Sequence, residues 1–183
     1  MTAIALLRGV NLAGRNACAM TDLRALFEGL GFRRVRTLLQ SGNVVFELGR
    51  RAPTEIERLF ERETSACLGL TTDFFVRTAR EWRTAIAGNP FEQEARRDPG
   101  HHLLVALKEA PAAKRVEALR AAIPGREVLH IRGRHAYIVY PDGVGRSKLT
   151  TAMIDRMLGT RGTARNWNTV LKLGALADDD DRN

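Results

Sequence analysis

The sequence predicts an α+β fold in which one βαββαβ-type unit with an antiparallel sheet occurs twice. Three observations predict it. The 183 residues are 44% hydrophobic, enough to build a core in one domain or two small ones. Short apolar runs alternate with stretches of helical period in the order βαββαβ up to residue 78. The same grammar then returns after residue 100, as a repeat of pattern and not of letters. The architecture implied is two ferredoxin-like subdomains.

In the first half, "TAIALLRG" is a buried-strand run. Met20, Leu23, Leu26, Phe27 and Leu30 recur at helical spacing, and Gly31 is a stop signal. "RVRTLLQ" and "NVVFEL" read as strands joined tightly at Ser41-Gly42. Pro53 opens a second helix with Ile56, Leu59, Phe60 and Cys67 on one face. "TDFFVRT" closes the unit. Thr78 and Glu81 then have capping-box spacing ahead of Trp82 and Ile86, which predicts a linking helix. "GNPFEQEARRDPG" reads as a polar connector in which Pro90 and Pro99 exclude regular structure.

In the second half, "HHLLVALK" is a strand, and Pro111 opens a helix with Val116, Leu119 and Ile123 inward. "EVLHI" and "HAYIVY" form a hairpin, and Ser147 caps a helix carrying Leu149, Met153, Ile154 and Met157. "GTAR" is a last short strand and "WNTVLKLGALA" a final helix. The domain organisation expected is a subdomain over 1–78, a connector over 79–100, a second subdomain over 101–177 and an acidic tail over 178–183.

The net charge is +8, and without the acidic tail the basic surplus rises to 11. Such a surplus attracts phosphates, hence a nucleotide or nucleic acid partner. Arg outnumbers Lys 25 to 4, a bias that a GC-rich genome also produces, and no Lys/Arg block like a nucleic-acid tail is present. No apolar run approaches the ~20 residues that span a bilayer, so no membrane partner is expected. The N-terminal apolar run is too short for a signal peptide, and Cys18 and Cys67 read as free thiols of a cytoplasmic protein.

Topology places the polar motifs. Strands one and two of such a unit run the same way, so the exit of the first and the hairpin after the second share an edge. Arg8, Asn11, Ser41 and Asn43 are expected there, with Gly9, Gly14 and Gly42 admitting close backbone approach. The same letters also read as a hairpin turn and a turn residue. In the second half, "YPDGVGRSKLT" and "RNWN" are expected at one edge. Gly143 and Gly145 precede a predicted helix start with Arg146, Ser147 and Lys148, which suits an anion. Arg165 is expected to face that loop as the second arm of an anion clamp, with Asn166 beside it. The plainer reading makes Asn166 or Asn168 a helix cap, Trp167 core and Arg165 the partner of an Asp. No metal-ligand spacing, cofactor motif or nucleophile elbow is present, and no general base can be named.

"LLRGVNLAG", "LLQSGNVVF", "NPF", "YPDGVGRSKLT" and "TARNWNTVLKL" resemble the signature segments of the bacterial domain-of-unknown-function family numbered 1697, over roughly residues 3 to 176. Members typically carry Gly-Gly where this chain has Ala13-Gly14. The resemblance implies a cytosolic α+β protein of two similar subdomains and implies no activity. The residues themselves point to binding of a phosphate-bearing ligand, nucleotide or nucleic acid. The alternatives are a small-molecule enzyme acting on an anionic substrate and a protein-interaction module.

Overall fold

In the computed structural model, the described residues are 1–9 and 18–182. The element order is β1 (Thr2–Leu7), α1 (Met20–Gly29), β2 (Arg33–Thr37), β3 (Asn43–Glu47), α2 (Pro53–Leu68), β4 (Phe74–Thr78), α3 (Ala79–Ala87) and α4 (Glu92–Arg97). It continues with β5 (His102–Leu107), α5 (Ala113–Ala122), β6 (Val128–Arg132), β7 (His135–Val139), α6 (Thr151–Leu158), β8 (Gly162–Asn166) and α7 (Trp167–Arg182). Two four-stranded antiparallel sheets result, ordered β2-β3-β1-β4 and β6-β7-β5-β8, so the second repeats the first strand for strand. Packing divides the chain into two compact units. One comprises Met1–Ile86 with Lys172–Asn183, and the other Ala87–Leu171.

The first unit's core lies between its sheet and helices α1 and α2. Ala3, Ala5, Leu7, Val44, Phe46, Phe74 and Val76 alternate along their strands toward Leu23, Phe27, Ile56 and Phe60. Phe27 and Phe60 stack with ring centres 3.8 Å apart. The intervening strand positions Ile4, Leu6, Val45, Phe75 and Arg77 are buried as well. In the second unit, Val105, Leu107, Ala136, Ile138 and Tyr140 pack with Leu119, Leu149, Ile154 and Leu158.

The outer strands β4 and β8 would expose unpaired backbone N–H groups. Carboxylates on the preceding helices occupy them. Glu57 and Glu61, one turn apart on α2, accept from Val76 N at 2.7 Å and Phe74 N at 3.0 Å. Asp155 on α6 accepts from Gly162 N at 3.0 Å. The capping box at the start of α3 is present: Thr78 N donates to Glu81 Oε2 at 2.8 Å and Glu81 N to Thr78 Oγ1 at 3.1 Å.

The structure departs from the sequence expectations at four places. The connector contains a helix, α4, seeded by the Asn89 carboxamide accepting from Phe91 N at 3.0 Å and anchored by buried Ala95. The eight residues between Pro90 and Pro99 leave room for the six of α4. The segment joining β2 to β3 is a loop over 38–42 rather than a tight turn, with Leu39 and Gly42 both left-handed. Helix α6 starts after Thr150, not at Ser147. Finally, α7 runs on through the first acidic residues of the tail, and its residues from Lys172 onward belong with the first unit. There the Leu176 carbonyl accepts from Arg36 at 3.0 Å, and Asp178 pairs with Arg83 at 2.6 Å.

Candidate functional site

The first predicted cluster is partly assembled by the backbone. Leu6 pairs with Asn43 in the ladder, and Leu7 N donates to Gly42 O at 2.8 Å. Arg8, which follows directly, donates its N–H to Asp73 O at 3.1 Å and accepts at its carbonyl from Thr72 Oγ1 at 2.6 Å. Arg8 and the 41–43 segment are therefore neighbours at one sheet edge. Asn11 lies outside the described residues. The Asn43 side chain is fully buried and donates to Leu38 O and Ser41 Oγ, both at 2.9 Å. It holds the 38–42 loop in shape and presents no group to a ligand through that nitrogen. Gly42 sits at φ +70, and a Cβ there would lie 2.7 Å from Leu7 Cβ, so glycine is required for this close approach.

The second predicted cluster is divided between the two faces of a strand. Residues 144–146 form a single 3-10 turn, and Ser147 is extended beyond it. The helix N-cap is Thr150, whose hydroxyl accepts from Met153 N at 3.2 Å. Ser147 Oγ instead donates to Glu127 and accepts from Leu149 N at 2.9 Å. An anion placed on that hydroxyl would meet the Glu127 carboxylate, which already takes its proton. Ala164 lines a cavity together with Val144 and Ser147. Strand alternation then turns Arg165 to the opposite face from that loop. Its guanidinium is buried and donates to Thr163 Oγ1 at 2.9 Å and Ala164 O at 2.8 Å, and burial pulls its pKa down to about 10.

Asn166 Oδ1 accepts from Thr169 N and Thr169 Oγ1, both at 3.0 Å, and so begins α7. Trp167 is buried against His102, with ring centres 4.8 Å apart, and its backbone N–H donates to Pro99 O at 3.0 Å. Arg165 therefore faces away from the loop, bonded to its own strand. Arg146 and Lys148 remain as exposed cations with no hydrogen-bond or ion-pair partner among the described residues.

A cationic groove that the sequence reading missed lies at the other end of the first sheet. Two chain reversals meet there. The first follows α1 at Gly31, φ +86, and the second follows β3 at Gly49, φ +67. Arg33 and Glu47 face each other in the ladder, which brings residues 30–33 beside 47–51. The groove has a volume of about 340 Å³ and is lined by Leu30, Phe32, Arg33, Glu47, Leu48, Arg50 and Arg51 with the two glycines. Arg33, Arg50 and Arg51 are exposed, and none of their guanidiniums has a hydrogen-bond or ion-pair partner among the described residues. The available signal was a pair of Gly-flanked arginine doublets, "GFRR" at the start of β2 and "GRR" after β3, which an antiparallel pairing brings to the same end. Among the described residues no group of three or more His, Cys, Asp or Glu is placed to hold a metal ion, and no helix is long and apolar enough to cross a membrane.

The family model described as "Protein of unknown function (DUF1697)" matches residues 1–137. No curated protein matches the chain. Among solved structures, the conserved bacterial protein SP0830 from Streptococcus pneumoniae is similar at 19% identity with a TM-score of 0.75. That likeness covers 96% of this chain and 98% of that one, and it bears on the fold alone.

Proposed function

We propose, for a chain that belongs to the DUF1697 family of proteins of unknown function, that it binds a small phosphate-bearing ligand of nucleotide size in the groove between residues 30–33 and 47–51. One observation carries the reading. Three arginines line a single groove, and none of their guanidiniums has a hydrogen-bond or ion-pair partner among the described residues. Like charges held together repel, and a phosphate relieves that repulsion while accepting forked hydrogen bonds of about 1.5–3 kcal/mol each. Glu47 offers an acceptor for a ligand hydroxyl, and Leu30, Phe32 and Leu48 form an apolar floor for the rest of the molecule. A small ligand is favoured over nucleic acid because the exposed large apolar side chains are Met1, Leu39, Val128, Val144 and Leu171, with no aromatic platform for bases among the described residues.

Calorimetric titration with pyrophosphate and ATP tests this. Replacing Arg50 and Arg51 together by Ala is expected to weaken binding at least roughly tenfold, the equivalent of one lost charge-assisted bond. Replacing Arg146 and Lys148 by Ala is expected to leave it within about twofold. An absence of binding to wild type, or an equal loss in the second variant, would contradict the proposal.

A further inference from the structure

The 140–151 segment, read from sequence as an anion loop, encloses a different kind of site. The geometry points to a binding site in the second unit for a small, uncharged, mostly apolar molecule carrying one hydroxyl or carbonyl group. Its cavity has a volume of about 270 Å³, the liquid volume of about nine waters. Leu103, Val105, Leu149, Ile154 and Ala164 supply apolar wall. The polar side chains of the lining are all uncharged: the hydroxyls of Tyr140, Ser147, Thr150 and Thr151.

Those hydroxyls are not equivalent. Tyr140 donates to Leu149 O at 3.2 Å, and burial together with Glu127 pushes its pKa up to about 12, so it stays neutral. Ser147 is engaged both as donor and as acceptor. Thr150 accepts from Met153 N and keeps its proton to donate. Thr151, exposed on its outer side, has no hydrogen-bond partner among the described residues, so its hydroxyl both donates and accepts. The ligand's single polar group therefore belongs beside Thr150 and Thr151. The Glu127 carboxylate behind Ser147 disfavours an anionic head. A cationic head would find no carboxylate in the lining itself, since Glu127 is screened from the cavity by the Ser147 hydroxyl that it binds.

Cores are close-packed, and a void of this size forfeits the contacts its walls would otherwise make. An apolar occupant restores them. Val144 is 41% exposed at the cavity mouth, between Gly143 and Gly145. An apolar side chain held in solvent there is explained by a ligand that it covers. This site is independent of the arginine groove, which lies wholly in the first unit.

Methyl NMR of the full chain tests it, with benzyl alcohol, toluene and benzoate as probes of similar size. Benzyl alcohol is expected to shift the methyls of Leu103, Val105, Val144, Leu149 and Ile154. Toluene is expected to bind roughly tenfold more weakly, as loss of one hydrogen bond implies, and benzoate not to bind. Thr151→Val should erase the preference for the alcohol. Ala164→Leu fills the cavity and should abolish the shifts while the protein stays folded. If it does not fold, Val144→Phe at the exposed mouth carries the same expectation. No shift with benzyl alcohol, equal shifts with benzoate, or binding that survives in a folded cavity-filled variant would each overturn the assignment.

Discussion

The Arg165 guanidinium donates to the hydroxyl of Thr163, two residues back on β8, at 2.9 Å, and the pair is buried. It also donates to Ala164 O, on the same strand, at 2.8 Å. Arg77 occupies the corresponding place in the first unit: it pairs with Ile4 as Arg165 pairs with Leu104, and it donates to Val76 O at 2.9 Å. Each arginine is followed by the residue whose side chain caps the next helix, Thr78 and Asn166. The repeat thus extends to a buried arginine at the strand end.

Removing Arg165 is expected to affect stability and not phosphate binding. Arg165→Ala deletes the bonds to Thr163 and Ala164 and leaves a void, so urea unfolding should show a loss of about 2–3 kcal/mol. Arg165→Met, which keeps the packing, should lose less. An unchanged stability with weakened phosphate binding in Arg165→Ala would return this residue to a ligand site.

Gly42 and Gly9 make a matched pair for backbone strain. Both have positive φ, but a Cβ at Gly42 meets Leu7 Cβ at 2.7 Å, whereas at Gly9 nothing among the described residues lies within 4 Å. Gly9→Ala should cost about 1 kcal/mol, the left-handed penalty alone. Gly42→Ala should cost clearly more, since β1 and the loop must also separate. Equal melting temperatures for the two variants would show that the contact relaxes freely.

Much of the fold was legible because it depends on period and punctuation. Ala3, Ala5 and Leu7 alternate, Leu23 and Phe27 recur one turn apart, and Pro53 and Gly31 sit at helix ends as their backbones require. The site was less legible because it depends on single-residue offsets. Ser147 and Thr150 have the same capping chemistry, and only the packed structure selects Thr150. Arg165 and Ala164 are adjacent, so which of them shares a face with the 143–148 loop is a matter of strand parity, and a one-residue slip reverses it. Arg33, Arg50 and Arg51 converge only because the Arg33–Glu47 register joins two turns. No local pattern states that register.

His102 predicts a pH dependence. It is fully buried beside Phe91 and Trp167, and neither ring nitrogen has a hydrogen-bond partner among the described residues. Burial lowers its pKa from 6.5 to about 4, partly offset by Glu94. The unfolded chain therefore binds the proton first as pH falls. Stability contributed by neutral His102 is complete above pH 6.5, falls through the interval down to about pH 4, and changes no further below it. The full span is on the order of 3 kcal/mol. Urea unfolding between pH 7 and 4 should show a shallower slope for His102→Leu than for wild type. Parallel slopes would place the proton uptake elsewhere.

The claim that a phosphate ligand occupies the Arg33–Arg50–Arg51 groove is tested most directly by following arginine Nε–H resonances in an NMR titration with pyrophosphate. The account predicts saturable shifts at Arg33, Arg50 and Arg51, with Arg8, Arg146 and Arg165 unmoved. Shifts centred on Arg146, or small unsaturable shifts spread over the exposed arginines, would contradict it.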